Sequence, residues 1–329
     1  YEYSVGTSPG DTNIVSWTDN GSVTQVTISN FTLTHETIYF ANIRAQDMAG
    51  NISTIQSSDG IMADLYSPTV GFVRDGLQED ESFTPSDTSL VANWDGFADT
   101  TSGIVRYEYA VGTSPEGSDV TGDWVSAGLN TSISASIELE ETITYYFSIR
   151  AVDQVNNISS IVSSDGITTD FTGPAGIAAF DGDSIDIDRQ NVINSFQAHW
   201  HEFIEEGSGF LRYEYALYDV DISQYITSWE STLDTLCNIS DLSLEENITY
   251  SVHIRGVDSV NNVGATLMTD GVLIDLSAPA SPINLVAWFT SERIYVEWDH
   301  NQEVDLNHYS VYGGTELNPT TLLLSTADS

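Results

Sequence analysis

The chain contains no lysine, and its only cationic side chains apart from histidine are eight arginines, against 49 aspartates and glutamates. The formal net charge of −41 at pH 7 leaves no basic patch of the kind that binds phosphate backbones or anionic lipid headgroups. Nucleic acid and anionic membrane surfaces are therefore excluded as partners. Because so acidic a surface repels itself unless salt or bound cations screen it, we expect a saline or calcium-rich setting.

Cysteine is nearly absent as well. Cys237 stands alone, so no disulfide can form within the chain. Its counterparts in the sequence repeats described below are Val26 and Ser132, which favours a small, half-buried filler over a reactive thiol. The sequence also lacks an apolar run of 18 residues, so we expect no membrane insertion in this segment.

What the chain does have is repetition. One nine-residue segment occurs three times in related form, as IRAQDMAGN at 43–51, IRAVDQVNN at 149–157 and IRGVDSVNN at 254–262. Matching YEY segments begin 106 residues apart, at Tyr1, Tyr107 and Tyr213. A unit copied in tandem usually serves as a spacer or recognition scaffold rather than as a catalyst. Because both chain ends fall inside repeats, we expect the chain to be a section of a longer protein.

The end of each repeat carries Asp-Gly, then alternating residues, then Asp and Pro. The prolines of this motif are Pro68, Pro174 and Pro279. Proline cannot continue a strand ladder, so it suits the point where one sheet ends and the next begins. The sequence therefore predicts a partial module at 1–67, complete modules at 68–173 and 174–278, and a further partial module at 279–329.

Within each module, apolar residues alternate with polar ones, which is typical of half-buried strands. In SLVANWD, Leu90, Ala92 and Trp94 share one face, and in SFQAHWH the same face is taken by Phe196, Ala198 and Trp200. Nothing in the sequence indicates a helix longer than one turn. Seven short strands per hundred residues, separated by turn residues, predict an all-β chain built as a tandem array of antiparallel sandwiches.

Three features of this pattern resemble the fibronectin type III family. They are a Trp in the second strand (Trp94, Trp200, Trp298), a Tyr pair or Tyr-Val pair in the third (Tyr107 and Tyr109, Tyr213 and Tyr215, Tyr309 and Val311), and a Leu six residues before a Tyr (Leu33 and Tyr39, Leu139 and Tyr145, Leu244 and Tyr250). The resemblance covers the whole chain and implies two sheets packed face to face. The repeats also resemble those of large secreted bacterial surface proteins and adhesins, which implies an extracellular or cell-surface location.

The second and third modules depart from the family pattern in their first half. The distance from Pro to Trp is 26 residues there (94 − 68 and 200 − 174), against 19 in the fourth segment (298 − 279). The additional residues, DGLQEDESFTPSD and DGDSIDIDRQNVINS, indicate an acidic insertion between the first two strands.

Recurring acidic positions are the candidate functional residues. A turn between the sixth and seventh strands holds Asp153 and Asp258, each followed four residues later by an Asn, Asn157 or Asn262; the linkers hold Asp64 and Asp170. Calcium takes six to eight oxygen ligands, and a turn offers several at short sequence separation. The family resemblance implies that the linker Asp of one module lies near this turn of the next. We therefore expect calcium to be shared by Asp64, Asp153 and Asn157, and by Asp170, Asp258 and Asn262.

Two other interpretations of these turns stay open. The turn aspartates can cap their own backbone as Asx-turns, or they can pair with the arginines three residues earlier, which are Arg44, Arg150 and Arg255.

A second acidic run is DGDSIDID, with carboxylates at Asp181, Asp183, Asp186 and Asp188. It is a calcium candidate, but it lacks the Glu at position twelve of a helix-flanked calcium loop. A solvated acidic loop is the alternative. The corresponding stretch of the second module keeps Asp75 and Asp80. His199 and His201 flank Trp200 and, in a strand, would point to the same side, as zinc ligands do, but no third ligand is indicated and their counterparts are Asn93 and Asp95.

The leading functional hypothesis is a non-enzymatic extracellular stalk, filament or adhesin segment whose junctions calcium stiffens. Its partners would be protein or glycan surfaces, or further copies along a fibre. No Ser-His-Asp set or pair of catalytic carboxylates recurs. The alternative is a set of accessory or carbohydrate-binding modules of a secreted hydrolase. For that role, exposed aromatic residues would stack on sugars; the recurring candidates, which we favour as sheet-packing residues, are Trp17, Trp124 and Trp229.

Overall fold

The protein is described by a computed structural model that covers residues 1–303, 305–316 and 318–327. Four residues of the predicted segment 279–329 lie outside the described residues, namely Val304, Leu317, Asp328 and Ser329. Every regular element described is a β-strand. In the described part of the chain, no helix has the length and apolar character needed to cross a membrane.

The chain divides into two compact units. Unit 1 comprises Tyr1–Gly176, Phe203–Tyr213 and Arg255–Thr266, and unit 2 comprises Ile177–Glu202, Glu214–Ile254 and Leu267–Ser329. The module boundaries expected at the three prolines stay a prediction.

Unit 1 begins with a five-stranded antiparallel sheet ordered β2-β1-β3-β4, in which β5 also pairs with β3. Its strands are β1 (Glu2–Gly6), β2 (Val15–Asp19), β3 (Ile38–Arg44), β4 (Gln56–Ser57) and β5 (Ile61–Met62). The small core beside it contains Val5, Tyr39 and Ala63.

Two sheets follow in unit 1, ordered β11-β8-β6 and β10-β9-β12-β14-β7, with β13 also paired to β12. Their strands are β6 (Phe72–Asp75), β7 (Phe83–Thr84), β8 (Ser89–Asp95), β9 (Ile104–Gly112), β10 (Val125–Gly128), β11 (Ser132–Ser136), β12 (Thr144–Asp153), β13 (Val162–Ser163) and β14 (Ile167–Thr169). All pairs are antiparallel except β14 with β7, which is parallel.

These two sheets enclose one apolar core. The face predicted for β8 is the buried one, because Leu90, Ala92 and Trp94 are at most 2% exposed. They meet residues of the other sheet such as Phe147 and Ile149 on β12, which are fully buried. The IRAVD segment thus lies in a central strand, and the layers form the sandwich that the alternation predicts.

The Leu-and-Tyr feature of the family resemblance has a clear structural role. The hydroxyl of Tyr145 accepts a hydrogen bond from the backbone N–H of Glu140 at 3.0 Å. Tyr39 and Tyr250 make the corresponding bonds to residues five positions earlier, at 2.9 and 3.2 Å. The buried ring anchors the strand while its hydroxyl satisfies a turn donor that packing would otherwise leave without a partner.

Unit 2 contains sheets ordered β15-β17-β21 and β16-β24-β22-β18-β19, with β20 also paired to β18 and β23 to β22. The strands are β15 (Ala179–Asp181), β16 (Arg189–Gln190), β17 (Phe196–Trp200), β18 (Phe210–Asp219), β19 (Gln224–Tyr225), β20 (Glu230–Thr232), β21 (Leu236–Ile239), β22 (Thr249–Asp258), β23 (Leu267–Met268) and β24 (Val272–Ile274). Phe196, Ala198 and Trp200 are buried, as predicted.

The end of unit 2 holds two separate hairpins. They are formed by β25 (Ile283–Phe289) with β26 (Ile294–Asp299), and by β27 (Tyr309–Gly313) with β28 (Thr321–Thr326). Large apolar side chains remain open to solvent on both, with Phe289 82% and Leu323 65% exposed.

The acidic insertions add an element that the sequence did not predict. Each one crosses from the first sheet to the second and forms a two-residue strand there, β7 in one copy and β16 in the other. Both of these strands are parallel to their partners, β14 and β24. The insertion thus adds one short strand to each of these two repeats.

Candidate cation sites

Three carboxylates meet where the linker after β5 approaches the end of β12. They belong to Asp64, Asp99 and Asp153, which we call the first linker cluster, and one oxygen of each lies within 4.8 Å of one oxygen of each other member. The structure thus brings together Asp64 and Asp153, the pair that the sequence predicted. Asp99, in the loop between β8 and β9, was missed because nothing in its sequence context distinguishes it from other loop aspartates.

Backbone donors hold the cluster in place. Asp99 Oδ1 accepts three N–H groups, from Thr101 (3.2 Å), Ser102 (2.8 Å) and Gly103 (2.6 Å). Asp153 Oδ1 accepts those of Val155 (2.9 Å) and Asn157 (2.8 Å). Asp153 therefore forms the Asx-turn considered above. Capping a turn and facing a cation are compatible, since each carboxylate has about four lone-pair sites.

Asp64 supplies the least satisfied atom of the cluster. Its side chain is 1% exposed, and its Oδ2 is buried without a hydrogen-bond partner. The other oxygen, Oδ1, accepts the N–H of Tyr66 at 3.2 Å and lies 3.5 Å from Nδ1 of His35. A buried carboxylate oxygen without a donor is costly unless a proton or a cation reaches it.

A second linker cluster repeats the arrangement, with Asp170, Glu205 and Asp258, again with oxygens within 4.8 Å of one another. The structure therefore also brings together the predicted pair Asp170 and Asp258, and the residue that the sequence missed is Glu205. Asp170 Oδ2 accepts the N–H of Ser208 at 2.5 Å. Burial, together with the charges of Asp170 and Asp258, raises the pKa of Glu205.

The asparagines tie each turn to its linker. Asn157 Nδ2 donates to Asp153 Oδ2 at 2.7 Å and to the carbonyl of Tyr66 at 3.1 Å. Asn262 Nδ2 donates to Asp258 Oδ2 and to the carbonyl of Asp170, both at 2.7 Å. A ligand role needs their side-chain oxygens instead, so for Asn157 and Asn262 that role stays a prediction.

Two of the three arginines considered above, Arg44 and Arg150, pair with glutamates rather than with the turn aspartates. Arg44 pairs with Glu2 at 2.6 Å, and Arg150 pairs with Glu108 at 2.7 Å. The guanidinium of Arg44 also lies 4.2 Å from the ring centre of Trp17, and that of Arg150 is at the same distance from Trp124. Two of the three tryptophans considered for sugar stacking, Trp17 and Trp124, are therefore partly covered by an arginine side chain.

The turn in the first segment provides a comparison. Asp47 accepts hydrogen bonds from Asn51, through its side chain at 2.8 Å and its backbone at 2.8 Å, like its two counterparts. The side-chain bond from Asn51 is the main cause that lowers the pKa of Asp47. Asp47 belongs to no carboxylate cluster in the described part of the chain. It therefore has the turn chemistry of Asp153 without a facing linker carboxylate.

In the linker after β24, a carboxylate is paired with an arginine. Asp275 accepts a hydrogen bond from Arg189 at 3.4 Å, and the same guanidinium lies 3.8 Å from Asp305. The N–H of Ser277 is the first cause that lowers the pKa of Asp275, and Arg189 adds to it.

The acidic run of DGDSIDID separates into two groups. Asp181 and Asp186 come together with Asp270, whereas Asp183 and Asp188 are exposed and join no cluster among the described residues. The calcium role of Asp183 and Asp188 stays a prediction without a partner set.

The remaining candidates have packing roles. His199 and His201 both contact the ring of Phe180, at centroid distances of 5.2 and 5.6 Å. No cluster of three metal-ligand side chains in the described residues includes either histidine. Cys237 is buried on β21, and burial raises the pKa of its thiol to about 12, which suits a filler rather than a nucleophile.

The known proteins that are similar to the chain match part of its length. It matches no protein-family model. It is similar to Exoglucanase B of Cellulomonas fimi, with 28% identity over 157 residues, which is 45% of this chain and 13% of that protein. The chain thus matches only a small part of the enzyme's length.

Solved structures similar to the chain are tandem β-domain segments. The FN1–FN3 domains of chicken CNTN1 match with 19% identity over 74% of this chain and 79% of theirs (TM-score 0.28). Domains A168–A170 of titin match with 11% identity over 72% and 74% (TM-score 0.40), and a segment of two fibronectin type III domains from chicken tenascin with 14% over 62% and 97% (TM-score 0.25). All three TM-scores lie below 0.5.

The fold class therefore follows from the strands themselves. Paired antiparallel sheets, the buried Trp of the second strand and the tyrosine hydroxyl at the strand corner recur along the chain. The protein is an all-β tandem array of fibronectin type III-like sandwiches.

Proposed function

We propose that the chain is a non-enzymatic, extracellular structural or adhesive segment, a stalk, filament or adhesin, in which calcium stiffens the linkers. One observation carries this proposal: in two repeats a linker Asp, a turn Asp and a third carboxylate converge. Three oxygens within 4.8 Å suit calcium, because two ligands at about 2.3–2.6 Å from one ion are at most about 5.2 Å apart.

Calcium would act by holding three segments of the chain at one point. In the first linker cluster these are the linker, the loop between β8 and β9, and the turn after β12. Without the ion the three negative charges repel one another and favour an open linker. A rigid array of this kind would present protein- or glycan-binding surfaces at a distance, or would associate with further copies along a fibre.

Thermal unfolding in 10 mM calcium and in chelator tests the proposal. Extracellular modules bind calcium at about 10⁻⁴–10⁻³ M, so each occupied site should add about 1.4–2.7 kcal/mol to the free energy of unfolding. We expect the Asp153→Asn, Asp258→Asn double variant to lose the part of this stabilisation that comes from the two linker clusters. Small-angle scattering should show the parent chain becoming more flexible in chelator.

Asp47→Asn is the matched control, because it makes the same change in the same turn where no linker carboxylate faces it. It should keep the full calcium response. If the double variant gains as much from calcium as the parent chain does, the linker sites do not bind it.

A second candidate function is favoured by the similarity to Exoglucanase B. In that case the modules would be accessories of a secreted hydrolase and would hold a glucan. Retention of the chain on an insoluble glucan separates the two proposals: we expect no more retention than for an inert protein of equal charge. Retention that Trp124→Ala abolishes would favour the accessory role, since Trp124 is one of the recurring aromatic residues.

A further inference from the structure

A different pair of carboxylate clusters lies where each acidic insertion begins. In the first, Asp75, Asp80 and Asp165 place oxygens within 4.8 Å of one another. Asp75 is the last residue of β6, Asp80 lies in the insertion, and Asp165 lies in the turn before β14. We call this set and its counterpart, Asp181, Asp186 and Asp270, the insertion clusters.

Asp75 is the centre of the first insertion cluster. It is fully buried, and its Oδ1 has no hydrogen-bond partner. Its Oδ2 accepts the N–H of Gly166 at 3.1 Å, and its own N–H donates to Asp80 Oδ1 at 2.9 Å. In the described residues, no ion pair involves any of its three carboxylates.

The second insertion cluster repeats these contacts one by one. Asp181 is fully buried at the end of β15, and its Oδ1 also has no hydrogen-bond partner. Its Oδ2 accepts the N–H of Gly271 at 2.8 Å, and its N–H donates to Asp186 Oδ1 at 3.0 Å. A buried acceptor left open in the same way in two repeats indicates a built feature rather than a local irregularity.

The fourth segment, which lacks the insertion, shows which residue stands at the position of the buried aspartate when no insertion is present. Asp75 pairs with Ala92 and Asp181 with Ala198, and in each case the partner stands two residues before the buried Trp. The corresponding position in the hairpin of β25 and β26 is Ala287, which pairs with Val296, two residues before Trp298. That segment has the short spacing from Pro to Trp and lacks the insertion. The buried aspartate is thus found in the two repeats that have the insertion, and an alanine takes its place in the segment that lacks it.

A fully buried carboxylate beside two others cannot stay charged at low cost. Burial is the main cause that raises the pKa of Asp75 to about 7 and that of Asp181 to about 6. Hydrogen bonds, chiefly from Ser164 to Asp75 and from Thr269 to Asp181, act against burial, and the neighbouring charges add to it. Those charges belong to Asp80 and Asp165 in the first cluster and to Asp186 and Asp270 in the second. A cation bound at the open Oδ1 atoms would offset the cost of the buried charge in each cluster.

We propose that each insertion cluster binds one calcium ion, at a site distinct from the linker clusters. Calcium fits better than a smaller divalent ion, because it accepts irregular sets of oxygen ligands and leaves further positions to water. The ion would join the end of the first sheet, the insertion and the turn that opens the last strand of the second sheet. It would fix the point where the chain crosses between the two layers.

Counting bound calcium by equilibrium dialysis tests the proposal in the whole chain. The Asp153→Asn, Asp258→Asn variant serves as background, because it removes a ligand from each linker cluster. We expect this background to bind two calcium ions per chain. Adding Asp80→Asn and Asp186→Asn should weaken both by at least ten-fold, because each exchange removes a charged ligand while its Oδ1 can still accept the backbone N–H.

Two further variants make the result decisive. Asp165→Asn with Asp270→Asn, both exposed, should lose calcium in the same way. The control is Asp87→Asn with Asp234→Asn. It removes two exposed carboxylates that join no cluster among the described residues, and it should keep both ions. A background chain that binds no calcium, or an Asp80→Asn, Asp186→Asn chain that keeps it, would overturn the proposal. Failure of the linker sites looks different, since the background would then bind as much as the parent chain.

Discussion

In chelator at pH 8, the Asp75→Asn, Asp181→Asn double variant should unfold at a higher temperature than the parent chain. The folded-state pKa is about 7 for Asp75 and about 6 for Asp181, both above the ordinary value of 3.8. Each group therefore favours the folded state fully below about pH 4, and this contribution is lost as pH rises through the folded pKa. The loss amounts to about 4 kcal/mol for Asp75 and about 3 kcal/mol for Asp181.

Asparagine removes this cost because it is neutral at every pH. The parent chain should thus lose stability between about pH 4 and pH 7 in chelator, whereas the double variant should show a smaller loss over the same range. Calcium should restore the unfolding temperature of the parent chain at pH 8. In the double variant, positions 75 and 181 should contribute no such increase. The measurement is thermal unfolding at pH 4, 6 and 8, with and without calcium.

The comparison between the two chains is the decisive quantity, because other carboxylates change the pH dependence of both equally. Glu108, for example, has a lowered pKa, against the effect of its burial, through its bonds to Arg106 and Arg150. If the double variant is less stable than the parent at pH 8 in chelator, then the two buried aspartates are satisfied without a proton or an ion.

Phe147→Ala should lower the free energy of unfolding of its sandwich by about 3–5 kcal/mol. Phe147 is fully buried on β12 and lies 6.2 Å from the ring of Tyr109, in the core that both sheets share. Removing the ring leaves a cavity that the packed layers cannot fill. Val105→Ala is the control, since Val105 is 44% exposed and its truncation should cost less than 1 kcal/mol.

Calorimetry of Phe147→Ala also tests the predicted modules. If 68–173 and 174–278 unfold as separate domains, only one transition should move to lower temperature. If both transitions fall together, the boundary at Pro174 does not separate independent cores.

The sequence predicted the strands well because burial in a sandwich depends on a period of two. Leu90, Ala92 and Trp94 alternate with polar residues, and this alternation alone assigns them to the core. The parallel strand β7 was missed for the opposite reason. It has two residues, and its pairing with β14 depends on the path of the whole insertion rather than on any local pattern.

The candidate site residues also divide into those that the sequence predicted and those that it missed. Asp64 and Asp153 were predicted because both recur and the family resemblance brings their segments together. Asp165 and Asp270 were available as a signal, since each begins an Asp-Gly motif, but that motif was interpreted only as the end of a repeat. Asp165 lies 90 residues after Asp75 in the chain (165 − 75), and no period in the sequence connects the two.

The arginine between Asp275 and Asp305 has a consequence for how an array of this kind responds to its surroundings. A positive charge carried by the polypeptide cannot be removed by dilution or by a competing chelating agent, whereas a soluble ion can. If the linker clusters bind calcium as proposed, Arg189 would take the place of the ion at Asp275. That linker would then stay rigid at low calcium, whereas the linkers that contain the two linker clusters would become flexible. Bending would then concentrate at particular joints, and the hinge positions of a long fibre would be encoded by single residues.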